Sequence, residues 1–150
     1  MKGPIWGVLA PAVVMVLLGG CRTVDEAGAE TRPLGEPILS QAQLRSARVS
    51  VSFVDHVKPI LEERCLHCHN KGEMPGKFSL ETRKDSLERS RIVPGNAEGS
   101  LLIAVLTTGN HAMTMPAVGT APPPEEIEVL KRWINAGAQW PDGVVLHPRR

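Results

Sequence analysis

Cys65-Leu66-His67-Cys68-His69 decides how this chain is read. It is C-x-x-C-H, two cysteines three positions apart with a histidine directly after the second, the pattern of covalent haem attachment. The spacing has a chemical reason. A haem ring carries two vinyl groups on one side, and each cysteine can form a thioether to one of them. The adjacent histidine is then held under the ring, where an imidazole nitrogen can bind the iron as proximal ligand. The pattern should arise by chance in roughly one chain of this length in a thousand. Two other chemistries use the same residues, a Cys65–Cys68 disulfide or half of a zinc site. Zinc normally takes four protein ligands in two clusters, and no second C-x-x-C or H-x-x-x-H cluster follows. A thioredoxin-like dithiol wants a βαβ context, and residues 50 to 80 show no such pattern. The expected cofactor is one covalent haem c on Cys65 and Cys68, with His69 as proximal iron ligand.

The third cysteine has a different setting. Met1 and Lys2 form a short positive start, and Ile5 to Leu18 is an almost purely apolar run that breaks into Gly19-Gly20-Cys21. The run is short for a bilayer span and ends in small residues, as a signal peptide does. Leu18-Gly19-Gly20-Cys21 is similar to a bacterial lipobox, which implies cleavage before Cys21 and its lipidation. More than one acyl chain on Cys21 would make membrane attachment stable. The expected location is the bacterial cell envelope, lipid-anchored, with the domain in the periplasm. Arg22 favours the outer membrane by analogy with one bacterial sorting rule. Export agrees with the haem motif, because c-type haem is attached outside the cytoplasm.

Composition narrows the classes further. The 150-residue chain has a formal charge of +1, and loss of Lys2 with the leader brings it to 0. With no basic stripe, nucleic acid is not an expected partner. Aromatic residues make up 3 % and tyrosine is absent, so a buried haem among aliphatic side chains would supply what a thin aromatic core lacks. Thirteen prolines and fourteen glycines point to short helices joined by loops.

Three segments are expected: a lipoprotein signal peptide over 1–20, a lipid-anchored flexible tether over 21–50 and a folded domain over 51–150. The tether of about 28 residues would reach roughly 30 Å. Within it, 39–48 reads as a weak helical turn or as disorder. In the domain, Phe53, Val57, Ile60 and Leu61 share one helical face, and Pro59 marks either the first turn of a short helix or a kink in a longer one. Residues 71–77 form a loop, 82–91 a charged solvent-facing helix and 92–96 a turn. A buried short helix over 100–106 is closed by Gly109. The last helix opens at Pro122-Pro123-Pro124 with Glu125 and Glu126 as favourable N-terminal charge, carries an inner stripe of Ile127, Leu130, Trp133 and Ile134, and ends at Gly137. No strand pattern and no internal repeat is visible.

One C-x-x-C-H fills one axial position of one haem. For the other, the loop His111-Ala112-Met113-Thr114-Met115-Pro116 offers three candidates. A thioether suits ferrous haem, and a Met/His pair raises the reduction potential. Met115 is favoured because Pro116 stiffens the backbone that would hold its sulfur; Met113, His111 and an open position are the alternatives. Met74 reads as a loop or core residue, His56 and His147 as surface residues, and Trp133 and Trp140 as packing groups. Arg91 and Lys77 are candidate partners of haem propionates.

From Phe53 to Pro141 the chain resembles the planctomycete-type cytochrome c domains. The resemblance rests on Val57-Lys58-Pro59-Ile60-Leu61 before the haem motif, then Phe78-Ser79-Leu80-Glu81-Thr82-Arg83, Val93-Pro94-Gly95-Asn96, Ser100-Leu101-Leu102, Met115-Pro116, Glu126-Ile127, Leu130, Trp133-Ile134, Gly137-Ala138 and Trp140-Pro141. It implies an all-α, small cytochrome c-like fold around one haem, with thioethers at Cys65 and Cys68, His69 proximal and Met115 distal. The family often continues Met-Pro-Pro where this chain has Ala117. The domain is also often fused to larger ones, whereas here it stands alone behind a lipobox, so its redox partners would be separate proteins. The expected function is single-electron transfer rather than catalysis. A haem enzyme or a small-gas or redox sensor with a displaceable distal ligand is the rival, and a subunit of a larger redox complex is a third reading.

Overall fold

The computed structural model of the chain describes residues 35–72, 78–108, 115–117 and 120–149. The chain divides into Met1–Glu30 and Thr31–Arg150, and every described residue lies in the second unit. Signal peptide, Cys21, Lys77, Met74, Gly109, His111 and Met113 lie outside the described residues.

The unit is all-α. Five α-helices form it: α1 Gln41–Val49, α2 Lys58–Arg64, α3 Arg83–Leu87, α4 Leu101–Thr107 and α5 Pro124–Asn135. One π-helical turn, Phe53–Val57, precedes α2, and one 3-10 turn, Glu88–Ser90, follows α3. No strand occurs among the described residues.

Pro59 explains the junction between the π turn and α2. It lies in the first turn of α2, where its missing N–H costs nothing, but its ring would crowd the carbonyl four residues back. The turn before it widens accordingly, and the Lys58 N–H donates to the Phe53 carbonyl, five residues back. The Asp55 carbonyl then has no helical donor. Gln43 Nε2, from α1, donates to it at 2.8 Å.

That bond shows why α1 belongs to the fold, and why the fold begins before Val51. The Ser40 hydroxyl accepts from the Gln43 N–H while the Ser40 N–H donates to Gln43 Oε1, a reciprocal cap. Leu44 and Ala47 are buried, and α1 packs on both α5 and the π turn. His56 is buried rather than on the surface. Its Nδ1 accepts from the Ser52 N–H at 2.9 Å, which leaves Nε2 to donate to the Ser46 hydroxyl of α1 at 2.9 Å.

Helix α5 is the spine of the unit. Its inward residues are Glu126, Val129, Leu130, Trp133 and Ile134, at i, i+3, i+4, i+7 and i+8. Ile127, expected in this stripe, is only half-buried because Glu126 occupies the inward position. Trp133 meets Phe53 of the π turn at 5.6 Å between ring centroids, and Trp140 meets it at 4.3 Å. Both indole N–H groups reach backbone carbonyls, Trp133 to Gln139 and Trp140 to Val144. The helix ends at Gly137, whose φ of +97° is a left-handed stop that glycine makes without strain.

Two buried carboxylates tie the chain ends to this frame. Glu126 is fully buried. It accepts from Arg64 Nε at 2.8 Å and from the backbone N–H groups of Ile38 and Leu39, while Arg64 Nη2 donates to the Glu36 carbonyl. A lone buried carboxylate would be prohibitive, but here both oxygens have donors. Glu62 of α2 is nearly buried and binds Lys58 and the His147 N–H, with Arg149 at 3.6 Å. His147 itself lies at the surface, as expected. Burial alone would raise the Glu62 pKa, but these donors outweigh it and hold the carboxyl below its ordinary value.

The expected helix over 82–91 is shorter and broken. Thr82 caps α3 by accepting from the Asp85 N–H, and Arg89 and Ser90 then take left-handed conformations, φ +52° and +57°. The chain turns inward there and buries Arg91.

Candidate functional site

Helix α2 runs directly into the cysteine–histidine turn. The N–H groups of Cys65 and Leu66 both donate to the Leu61 carbonyl, at 3.0 and 3.1 Å. The N–H groups of Cys68 and His69 then both donate to the Cys65 carbonyl, at 3.2 and 3.0 Å. One tight turn therefore carries both sulfurs and the imidazole. Leu66 is fully buried and roots the turn in the core, which leaves Cys65 half-exposed, Cys68 exposed and His67 exposed. The cysteines are separate thiols. Burial of the Cys65 sulfur pushes its thiol up to about 12, against the pull of Arg64 and together with Cys68.

His69 faces inward and is 8 % exposed. Desolvation lowers its pKa; a hydrogen bond with the Phe78 backbone works against this, and the Arg91 charge adds to it. The ring is therefore held neutral, the state in which imidazole ligates a metal. Its Nδ1 is buried with no hydrogen-bond partner. A buried polar atom without a partner is costly, and a coordination bond is one way to satisfy it.

Asn70 braces the turn. Its Nδ2 donates to the Leu66 carbonyl at 2.7 Å, and its Oδ1 accepts from the Gly72 N–H at 2.8 Å. The Leu80 N–H donates to the His69 carbonyl at 2.8 Å. Phe78 lies against the His69 ring, centroids 4.2 Å apart and planes 26° from parallel. The Arg91 guanidinium covers Phe78, 4.2 Å from its centroid, and donates to the Asp85 carbonyl at 2.8 Å. Sequence reasoning gave Asn70 no role and named Phe78 only among the residues of the resemblance. The available signals were a polar residue directly after the motif and one of only two phenylalanines in the chain.

Met115 is half-buried, and its N–H donates to the Val105 carbonyl of α4 at 2.9 Å. The start of the same helix is fixed to Arg91, whose carbonyl accepts from the Leu102 N–H at 3.0 Å. A chain of direct contacts thus leads from His69 through Phe78, Arg91 and α4 to Met115.

These residues fit a covalently attached haem. Two unpaired thiols and a neutral imidazole with an unpartnered nitrogen share one turn. Among the described residues no group of three or more His, Cys, Asp or Glu side chains could hold a metal ion. A groove of about 190 Å³ between α1 and α5, lined by Ala47, Arg48 and Val129 among others, does not include the motif.

Residues 65–119 match the family model described as Planctomycete cytochrome C. No curated protein and no solved structure matches the chain.

Proposed function

We propose, from the match of residues 65–119 to the family model described as Planctomycete cytochrome C, that the chain is a membrane-tethered monohaem c-type cytochrome that passes single electrons between redox proteins outside the cytoplasm. The family is one of haem-binding electron carriers. The observation that carries the reading is the single turn holding Cys65, Cys68 and the buried His69.

Haem supplies a one-electron Fe(III)/Fe(II) couple when bound. The residues of the chain divide the remaining work. Cys65 and Cys68 would anchor the group covalently at the surface end of the turn. His69, kept neutral by burial, would bind the iron, and its carbonyl, held by Leu80, fixes where the imidazole stands. Met115, whose N–H is held by the Val105 carbonyl of α4, would supply a second ligand. With both ligands supplied by the chain, no iron site would remain for a substrate, and electron transfer would follow in place of catalysis. Lipidated Cys21 and the residues after it keep the domain at the membrane, where its donor and acceptor are reached by diffusion over a short range.

Met115→Ala in the haem-loaded protein tests the assignment. The reduction potential falls and the ferrous form binds carbon monoxide. If neither changes, Met115 is not the distal ligand. Carbon monoxide binding by the unaltered protein would favour instead a sensor or enzyme with a displaceable distal ligand.

A further inference from the structure

Arg91 is the most costly side chain near the candidate haem turn. A guanidinium that is 9 % exposed loses its water and has to be repaid by close partners. Among the described residues its partners are few. Nη1 donates to the Asp85 carbonyl at 2.8 Å and stands 3.6 Å from Glu88, but the Glu88 side chain is half open to solvent, so water weakens that neutralisation. The guanidinium also lies over the ring of Phe78, which stacks on His69. The backbone leading in is strained: Arg89 and Ser90 are consecutive left-handed residues that are not glycine. Such strain persists where the surrounding structure requires it. An aliphatic residue would fill the same space without either cost, so the cation itself needs a reason.

We propose that Arg91 is a positioning residue for His69, holding the imidazole through Phe78 and placing a poorly screened positive charge that raises the reduction potential of the iron bound there. The proposal rests on the haem reading above. A cation beside the proximal ligand disfavours the more positive ferric state, and the low dielectric of a buried site strengthens the effect. Arg91 also joins the two axial candidates mechanically, because its carbonyl holds α4, which in turn holds Met115.

The test compares wild type, Arg91→Lys, Arg91→Gln and Phe78→Leu, each made in a host that attaches c-type haem. Haem content, reduction potential and the low-spin electron paramagnetic resonance signal are measured. The expected result is a potential shifted downward in Arg91→Gln and largely restored in Arg91→Lys. Phe78→Leu keeps the charge and removes the stack, so it changes the resonance signal with a smaller shift in potential. Haem-loaded Arg91→Gln with wild-type potential and signal overturns the proposal while the haem reading stands. If Arg91→Gln cannot be matured, a wild-type resonance signal and potential in haem-loaded Phe78→Leu overturn it, because Phe78 would then transmit nothing from the arginine to the imidazole. A wild-type chain that carries no haem overturns both.

Discussion

At the residue scale, the site is built by burial that would be unfavourable elsewhere. His69 is kept neutral with a nitrogen free, Cys65 is kept as a thiol, and Arg91 is drawn under the surface by Phe78. Glu62 shows the same economy away from the site. Its carboxyl is held below the ordinary value by Lys58, the His147 N–H and Arg149 once burial has been outweighed. A lowered folded-state pKa means that the unfolded chain binds more protons. The stabilisation is therefore present above the ordinary carboxylate pKa near 4.5 and fades as pH falls through the lower folded value. Glu62→Gln is expected to lose about 1–3 kcal/mol at neutral pH, since one partner of a nearly buried bonded pair is removed. Its stability curve should also be flatter on the acid side. Denaturant unfolding at several pH values checks both, and parallel acid limbs for the two proteins would show that Glu62 is not the responsible group.

At the element scale, much of the fold was legible because punctuation and periodicity agreed. Pro59, the triple proline before α5 and Gly137 mark real boundaries, and Phe53, Val57, Ile60 and Leu61 are all buried on one face. Helix α1 was less visible because its nine residues contain only two buried apolar positions, Leu44 and Ala47. Its signal was the Ser40-to-Gln43 capping box, and its docking depends on the Asp55 carbonyl freed by Pro59, a long-range effect that no local window contains. His56 was misplaced for the same reason, since its partners Ser46 and Ser52 lie on two elements. The break at Arg89 and Ser90 has no sequence signal either, because neither residue is the glycine that left-handed backbone favours. The cap gives a direct prediction. Ser40→Ala should cost about 1 kcal/mol and leave the visible spectrum of the haem-loaded protein unchanged, since α1 packs on α5 and the π turn. Thermal or denaturant midpoints measure the loss; an unchanged midpoint would mean that α1 contributes nothing to the folded unit.

At the scale of the whole molecule, the candidate site is distributed along the chain in a way that the sequence showed only in part. The two cysteines and the histidine proposed to hold the haem are contiguous, so five residues are enough to name them. The candidate Met115 is far from them in sequence, and the contacts running from His69 through Phe78 and Arg91 to α4 appear only in the fold. Glu126 holds the segment 36–39, directly and through Arg64, the residue directly before Cys65, and Glu62 holds His147. The central claim is that Cys65 and Cys68 carry one haem and that the protein fills both axial positions. It is tested most directly by purifying the chain from a host with c-type haem maturation, then recording the pyridine haemochrome and the oxidised and reduced spectra. One covalent haem per chain is expected, with a low-spin spectrum and the weak long-wavelength band of thioether-to-iron ligation. A chain with no covalent haem would contradict it and return Cys65 and Cys68 to a dithiol.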